Sequence, residues 1–496
     1  MRHSGNMHTP KTRWLVATGL LVLLLSAMVW SLMDLPRLAW LIPGVARESA
    51  QSGRVNFFMT LACWLVFGLA VFCLRRAQPA GSDIRRLRPL AGLVLVGSLL
   101  LGAAALSAPP STSNDSARYA WDGIVQKAGI SPYDHVPADP ALQSLRPEWL
   151  FQAPLPDGSC DKANFPAIPD KSNGVCFAVN RPNVPTIYPP TSEIYFFLVR
   201  LPLPAEVGFI GFQAAGLLLA LGVTLGLLRL SRKFALPLDR VAWWAWSPLV
   251  VIEGINNAHV DLLGAGLLLL AVILLARGRV TGSAIAFGAA VATKLVPVIA
   301  APGMLYRKPW RFIVVSIGTF LVLYLPYLLL SGIGVLGFLP GYLSEEGYDS
   351  TQQTSRFALL TLFLPPQAAV LVGALVILGT GILLWRRTDP DRPWDSQVLF
   401  VSVVLLVVSP TYVWYALLLL PLIVLSGRYE YFSVVVALTM LYLSTPLPES
   451  MVTARSALAG AVLVLLAAWI WRRQRPGALE PGSLLVPSLA SSRTTT

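Results

Sequence analysis

Residues 114–133 read NDSARYAWDGIVQKAGISPY and open the longest polar part of a very hydrophobic chain. An apolar run ends just before them at Pro109 and Pro110. If a helix begins at Asp115, the residues three, four and seven positions later share one face with it, namely Arg118, Tyr119 and Asp122. A charged stripe beside a membrane exit predicts a functional site. The alternative is a solvated surface helix with an internal Arg118–Asp122 ion pair.

The composition identifies the class of protein. The chain has 496 residues, of which 55% are hydrophobic and 13% charged, whereas about 25% of the residues in a soluble domain are charged. These values and a mean hydropathy of +0.64 predict an all-α polytopic membrane protein. The net charge of +13 is typical of cytoplasmic loops, so we predict no nucleic-acid partner.

The apolar runs predict a helical bundle with about 12–14 transmembrane helices. Several runs are short for a bilayer, so some of them are expected to be half-helices. The runs cover residues 14–33, 55–74, 87–107, 207–228, 241–255, 262–276, 281–293, 295–306, 312–330, 368–385, 398–408, 413–425, 431–443 and 457–471.

The basic residues predict the orientation. With fourteen spans, every cluster of Arg and Lys falls on the side of the N-terminus, which the positive-inside rule makes cytoplasmic. This arrangement requires 281–293 and 295–306 to be two short helices with Lys294 at the turn. The loop 108–206, Lys294 and the polar stretches 253–261 and 409–414 then lie on the outer face. We therefore predict a multi-pass protein of the cytoplasmic (inner) membrane with an extracytoplasmic site.

The four cysteines fall into two pairs. Cys63 and Cys73 lie in an apolar run and are expected to be packing residues. Cys160 and Cys176 lie in the polar loop, and an extracytoplasmic location favours a disulfide between them. The spacing of Cys and His does not resemble a zinc site.

The stretch IEGINNAHVD at residues 252–261 places several polar groups at the end of an apolar run. Ionisable groups at this depth usually face a cavity or a partner, which favours a site over a polar turn in the headgroup region. Its candidate residues are Glu253, Asn257, His259 and Asp261. His259 and Asp261 could also ligate a divalent cation such as Mg²⁺ or Mn²⁺ together with Asp115, although two carboxylates and one His are a weak metal signal.

Three further features have both a functional and a structural interpretation. Lys294 is flanked by apolar residues, so it either binds a phosphate or snorkels at a helix end. Arg356 is a second candidate phosphate ligand, or forms a loop salt bridge. Tyr412 and Trp414 in SPTYVWY (409–415) belong to a membrane-interface aromatic belt or form a platform for a sugar.

Several of these motifs, taken in order, resemble the GT-C superfamily of bacterial membrane glycosyltransferases. The chain is most similar to the branch that is like glycosyltransferase family 87 and of mannosyltransferase type. The resemblance extends from about residue 87 to about residue 425. It rests on DSARYAWDG (115–123), GISPY (129–133), TIYPP (186–190), NNAHVD (256–261), ATKLVP (292–297) and SPTYVWY (409–415).

The resemblance implies a reaction. Such enzymes transfer a sugar, here a hexose with mannose favoured, from a polyprenyl-phosphate donor to a lipid or glycan acceptor, with inversion at the anomeric carbon. An acidic residue of the first outer loop is the general base, and by position it matches Asp115. One carboxylate is then sufficient, unlike the pair used in glycoside hydrolysis. Asp122 would hold Arg118 or contact the sugar.

The resemblance and the motifs together assign the remaining residues. The cations expected to stabilise the departing phosphate are Lys294, Arg118 and Arg356. The residues expected to contact the sugar or the acceptor are Tyr119, Tyr188, Glu253, Asn257, His259, Asp261, Tyr412 and Trp414. The chain is expected to divide into a transmembrane pair (1–86), the catalytic core (87–425), C-terminal helices (426–475) and a disordered tail (476–496).

The chain departs from the family pattern in two places. Three spans precede the first motif where the family usually has one, and an inserted segment of about residues 151–182 carries Cys160 and Cys176. Two other functions remain open at this point. A transporter or flippase for a lipid-linked glycan should show internal repeats, and we find none. A non-catalytic assembly subunit would tolerate Asp115→Asn.

Overall fold

A computed structural model describes residues 10–33, 49–77, 84–160, 170–172, 175–337, 341, 356–445 and 449–474. The expected disordered tail, 476–496, lies outside this part of the chain, as do parts of the inserted segment and of the loop 331–367.

The structure is 74% helical with almost no strands, as expected. The α-helices are α1 (Pro10–Met33), α2 (Ser49–Ala77), α3 (Ile84–Ala105), α4 (Asp115–Lys127), α5 (Pro190–Arg200), α6 (Ile210–Lys233), α7 (Ala242–Ala245), α8 (Asp261–Ala276), α9 (Val280–Val291), α10 (Pro309–Ser331), α11 (Pro366–Arg387), α12 (Pro393–Val408), α13 (Leu419–Ser426), α14 (Phe432–Ser444) and α15 (Ser450–Gln474). A π-helix spans Val250–Asn256. Short 3-10 helices cover Pro140–Leu145, Leu238–Val241, Val296–Met304, Gly332–Leu336, Leu360–Leu362, Val413–Leu418 and Tyr429–Tyr431.

One small antiparallel sheet interrupts the helices. Its strands are β1 (Phe151–Gln152), β2 (Asp170–Ser172) and β3 (Val175–Phe177), in the order β1-β3-β2. Phe151 pairs with Phe177, and Gln152 pairs with Cys176. The sheet falls within the segment that departs from the family pattern.

Six described helices are long and apolar enough to cross a membrane, or up to seven segments if one bent pair counts as a span. Five shorter apolar helices of 10–17 residues accompany them. The fold class is therefore confirmed, whereas 12–14 spans would require the shorter helices to cross as well. The two short helices expected on either side of Lys294 are present, since α9 ends at Val291 and a 3-10 helix begins at Val296.

The bent pair places the polar stretch 253–261 inside the protein. The π-helix Val250–Asn256 meets α8 at an angle of 111°, with a short break between them. The buried amide of Asn256 donates to the carbonyl oxygens of Ala105, Ala108 and Pro109. The amide of Gln213 donates to the carbonyls of Ala108 and Asn256. These bonds satisfy carbonyl groups at the C-terminal end of α3 and at the break in the span, which would otherwise be unpaired in an apolar environment.

A glycine on α6 allows the π-helix to approach closely. A Cβ atom at Gly216 would lie 2.6 Å from the carbonyl oxygen of Gly254, which is closer than real Cβ atoms come. The contact therefore depends on the absence of a side chain. It fixes the position of the residues that follow, including Asn257 and His259.

The outer-loop helix α4 begins at Asp115, as the offsets predicted, but it is not a surface helix. Ten of its residues, from Ser116 to Val125, are buried. Arg118 and Asp122 form the expected ion pair while only 4% and 2% exposed. The solvated-helix interpretation is therefore wrong for this helix, because α5 covers the face that carries the charges.

Candidate active site

Asp115 stands at the N-terminus of α4. The preceding residue, Asn114, occupies the cap position, but its side chain makes no capping hydrogen bond. The hydroxyl of Ser113 instead accepts a hydrogen bond of 3.2 Å from the N–H of Asp115. The helix dipole favours a negative charge here. The carboxylate is thus held at a helix end, with its side chain 15% exposed.

His259 connects Asp115 to the broken span. Its Nδ1 lies 3.5 Å from Oδ2 of Asp115, and its Nε2 lies 3.3 Å from Oε2 of Glu253. Among the described residues, neither ring nitrogen has a partner in hydrogen-bond geometry, so these are ion-pair distances. Catalytic contacts are often this long before substrate binds and tighten afterwards. The imidazole is completely buried. The three side chains form a row, with the histidine between the two carboxylates.

Glu253 is fixed on its other sides. One oxygen accepts from the amide of Asn257 at 2.9 Å, and the other accepts from the hydroxyl of Thr112 at 3.2 Å. Asn257 also accepts hydrogen bonds from the backbone N–H groups of Ser111 and Thr112. These bonds attach the segment before α4 to the broken span and set the distance between Asp115 and His259.

Two aromatic side chains form the wall behind the histidine. Trp414 stacks on the His259 ring with centroids 3.7 Å apart, and Tyr412 stacks on Trp414 at 4.6 Å. Both come from SPTYVWY. Since the pair packs against the buried His259, it belongs to the same site as Asp115.

Lys294 supplies a positive charge to this site. Its Nζ lies 3.1 Å from Oδ2 of Asp261 and 5.0 Å from the centroid of the Tyr415 ring. The same ammonium lies 5.8 Å from the Trp414 ring. A cation at these distances interacts favourably with aromatic faces. Lys294 thereby joins the cluster that contains His259 and Trp414.

The environment of Asp115 favours its ionised form. Burial is the largest single influence and would raise the pKa of this carboxyl, but the side-chain interaction with His259 and the charges of His259, Lys294 and Arg181 together outweigh it. The pKa of Asp115 therefore lies below its ordinary value of 3.8. The carboxylate is ready to accept a proton at neutral pH.

Sequence reasoning missed two residues of the site. The side-chain amide of Asn180 donates a hydrogen bond of 2.8 Å to Oδ1 of Asp115. Arg181 is near enough to help lower the pKa of Asp115. Both lie at the end of the inserted segment, and the only signal in the sequence was their proximity to Cys176.

Arg118 and Asp122 belong to a second polar cluster. Nε of Arg118 donates to both carboxylate oxygens of Asp122, at 3.0 and 3.1 Å. Burial raises the pKa of Asp122 despite the adjacent Arg118, and burial together with the charge of Asp122 raises the pKa of Glu193 well above its ordinary value. Thr186 and Gln126 donate to Glu193 at 2.8 Å each. This cluster joins α4 to α5.

Tyr119 and Tyr188 lie in the aromatic core between these two helices. Tyr119 stacks on Phe196 with ring centroids 4.3 Å apart and meets Tyr188 edge-on at 5.1 Å. Arg356 is 4% exposed. It adjoins Phe357, whose N–H donates to the carbonyl of Val408 at the end of α12. The roles predicted for these three residues in binding sugar or phosphate remain predictions.

The three residues proposed as metal ligands, Asp115, His259 and Asp261, do not converge on one point. His259 approaches Asp115 and Glu253, whereas Asp261 pairs with Lys294. Among the residues that the structure describes, no group of three or more His, Cys, Asp or Glu side chains is arranged to hold a metal ion.

The polar cluster sits largely within a segment that a known family shares. Residues 186–410 match glycosyltransferase family 87. The resemblance found from the motifs is therefore confirmed over these residues, and the match is consistent with a membrane-embedded glycosyltransferase of the GT-C type. The family 87 match includes Glu253, His259 and Lys294, whereas Asp115 and Asn180 precede it. A search of curated proteins gave no match. The family match also favours an enzyme over the transporter and the assembly subunit.

Proposed function

We propose that this protein transfers a hexose, with mannose favoured, from a polyprenyl-phosphate donor to a lipid or glycan acceptor, with inversion. The observation that carries the proposal is the contact between Asp115 and His259. It joins the first outer-loop motif, which precedes the family 87 match, to the NNAHVD motif inside it. The proposed general base, Asp115, therefore lies in the same site as His259, which belongs to the family 87 match.

In this proposal Asp115 is the general base. Its ionised carboxylate takes the proton of the acceptor hydroxyl while the hydroxyl oxygen attacks the anomeric carbon. The bond between that carbon and the lipid phosphate oxygen breaks, and the phosphate leaves with the bonding electrons. His259 contacts Oδ2 of this carboxylate, and the amide of Asn180 donates a hydrogen bond to Oδ1. Orientation of this kind contributes strongly to rate because the reacting atoms must meet in one geometry.

Lys294 would stabilise the departing phosphate. A cation near the leaving oxygen offsets the charge that develops there, so an acid catalyst is unnecessary. Lys294 is paired with Asp261 in the structure, at 3.1 Å. The departing phosphate gains a second negative charge as the bond to the sugar breaks, and it would then compete with that carboxylate for the ammonium. Tyr412, which is half-buried and stacks on the buried Trp414, offers an aromatic surface for a sugar ring.

The proposed location is the extracytoplasmic face of the cytoplasmic membrane. Support comes from the distribution of Arg and Lys, which predicts a cytoplasmic N-terminus. The disulfide between Cys160 and Cys176 is typical of an oxidising compartment. Membrane lipid would surround the helices, and both substrates would reach the site from the outer leaflet.

Sugar transfer in isolated membranes tests the proposal. Membranes containing the protein are incubated with radiolabelled polyprenyl-phosphate mannose, and label in lipid and glycan fractions is measured. We expect incorporation above that of membranes lacking the protein. Parallel reactions with EDTA, Mg²⁺ or Mn²⁺ test the predicted cation. Polyprenyl-phosphate glucose and arabinose donors test the choice of sugar, and failure of all three donors would contradict the proposal.

A further inference from the structure

The inserted segment returns to the active site at its C-terminal end. Strand β3 contains Cys176 and is followed directly by Ala178, whose N–H donates to the carbonyl of Leu150 at 2.8 Å. The carbonyl of Ala178 accepts from the side chain of Asn114 at 3.4 Å. The first residue after β3 therefore already contacts Asn114, the residue that precedes Asp115.

Asn180 then contacts the carboxylate itself. Its amide donates to Oδ1 of Asp115 at 2.8 Å and to the side-chain oxygen of Asn114 at 3.4 Å. The next residue, Arg181, has a left-handed backbone with φ of 49°, a conformation that non-glycine residues seldom adopt. Its carbonyl accepts from Arg118 at 3.4 Å. Contacts to two residues of α4 thus hold this turn.

The disulfide fixes the strand from which Asn180 emerges. Cys176 is 2% exposed, and its sulfur is bonded to that of Cys160. β3 is the central strand, but β1 and β3 pair over only two residues, Phe151 with Phe177 and Gln152 with Cys176. So short a sheet has little stability of its own. A covalent link therefore contributes a large share of what holds the strand in place.

We propose that Asn180 is a positioning residue for the general base and that the Cys160–Cys176 disulfide holds Asn180 in register with Asp115. The proposal rests on the proposed function. Asn180 donates a hydrogen bond to Oδ1, and His259 contacts Oδ2 at 3.5 Å, so both oxygens are held and the carboxylate plane is oriented toward the acceptor hydroxyl. The segment that departs from the family pattern thus completes the active site. Transfer consequently depends on the oxidation state of the two cysteines.

The test compares sugar transfer by Asn180→Ala, Asn180→Asp, Cys160→Ser/Cys176→Ser and a triple variant that combines Asn180→Ala with the cysteine changes. We expect Asn180→Ala to lower kcat roughly ten- to hundred-fold with little change in donor KM, because a misplaced base affects the reaction more than binding. The cysteine variant should show a similar loss. The triple variant should lose no more than either parent, since all act through one contact.

Asn180→Asp distinguishes positioning from a general structural role. A second carboxylate beside Asp115 raises the pKa of the base. The acid limb of the kcat/KM profile should therefore move to higher pH in Asn180→Asp, and by more than the shift that loss of the hydrogen bond alone causes in Asn180→Ala. The matched control is Cys63→Ala/Cys73→Ala, which removes the two free cysteines. We expect this control to keep wild-type rates with or without a reductant.

Failure of this inference and failure of the proposed function give different results. A wild-type kcat in Asn180→Ala, or losses that multiply in the triple variant, would overturn the inference while leaving the proposed function intact. A wild-type protein that transfers no sugar would instead overturn the proposed function. If the cysteine variant does not fold, the two Asn180 variants still decide whether Asn180 positions the base.

Discussion

Nδ1 of His259 lies 3.5 Å from Oδ2 of Asp115, although the two residues are far apart in the chain. One comes from the outer loop and the other from the break in a bent helical pair. Their contact depends on a close approach at Gly216 and on the bonds that Asn256 and Asn257 make to the segment before α4. The chemistry of the site therefore depends on how the broken span is held.

The first prediction concerns the pH dependence of His259→Gln. Burial raises the pKa of Asp115, and His259 provides the largest opposing contribution. Without a charged imidazole the pKa should rise, so the base becomes protonated at higher pH. We expect the acid limb of kcat/KM to shift upward in pH relative to wild type. An unshifted limb accompanied by lower rates would mean that His259 does not control the ionisation of Asp115.

The second prediction concerns Lys294→Met. Loss of the ammonium removes an attraction to the donor phosphate in both the bound and the reacting state. Donor KM should therefore rise more than kcat falls. The control is Lys127→Met, since Lys127 donates to the carbonyl of Leu203 at the exposed end of α4. Equal losses in kcat and kcat/KM would show that Lys294 acts only in the transition state.

The third prediction uses two glycines of α6. A Cβ at Gly216 would collide with the carbonyl of Gly254, whereas a Cβ at Gly222 would meet nothing within 4 Å. Gly216→Ala should displace the π-helix, reduce activity at least about tenfold and lower Tm. Gly222→Ala should keep full activity and gain about 0.5–1 kcal/mol from its better helix propensity. Thermal unfolding in detergent and transfer assays measure both effects. Equal behaviour of the two variants would contradict the packing argument.

The fourth prediction concerns the buried acidic pair. Burial raises the pKa of Glu193, so its neutral form is favoured in the folded protein. A raised pKa gives stability that is present at low pH and is lost as pH rises through the folded value. We expect Tm of Glu193→Gln to match wild type near pH 5 and to exceed it near pH 9. A Tm lower than wild type at both pH values would show that the carboxylate itself is required.

Some of the site could be predicted because local patterns encode it. The offsets in DSARYAWD correctly predicted a helix beginning at Asp115, and the distribution of basic residues correctly predicted two short helices with Lys294 between them. Polar groups at the end of an apolar run indicated the His259 region because such groups need partners in a membrane.

Other features depend on tertiary contacts that sequence spacing does not reveal. The burial of α4 comes from α5, whose Phe196 stacks on Tyr119. Asn180 reaches Asp115 only because β3 returns the chain to that point, and no periodicity marks that return. The partner of Lys294, Asp261, lies in another helix.

The most direct test of the account is transfer from radiolabelled polyprenyl-phosphate mannose by Asp115→Asn beside wild type, at matched protein levels and matched Tm. Asparagine keeps the shape of the side chain but cannot take up the proton. We predict labelled product from wild type and a loss of roughly a hundred-fold or more in the variant. Equal incorporation by both proteins would contradict the account, because the general base would then be a residue other than Asp115.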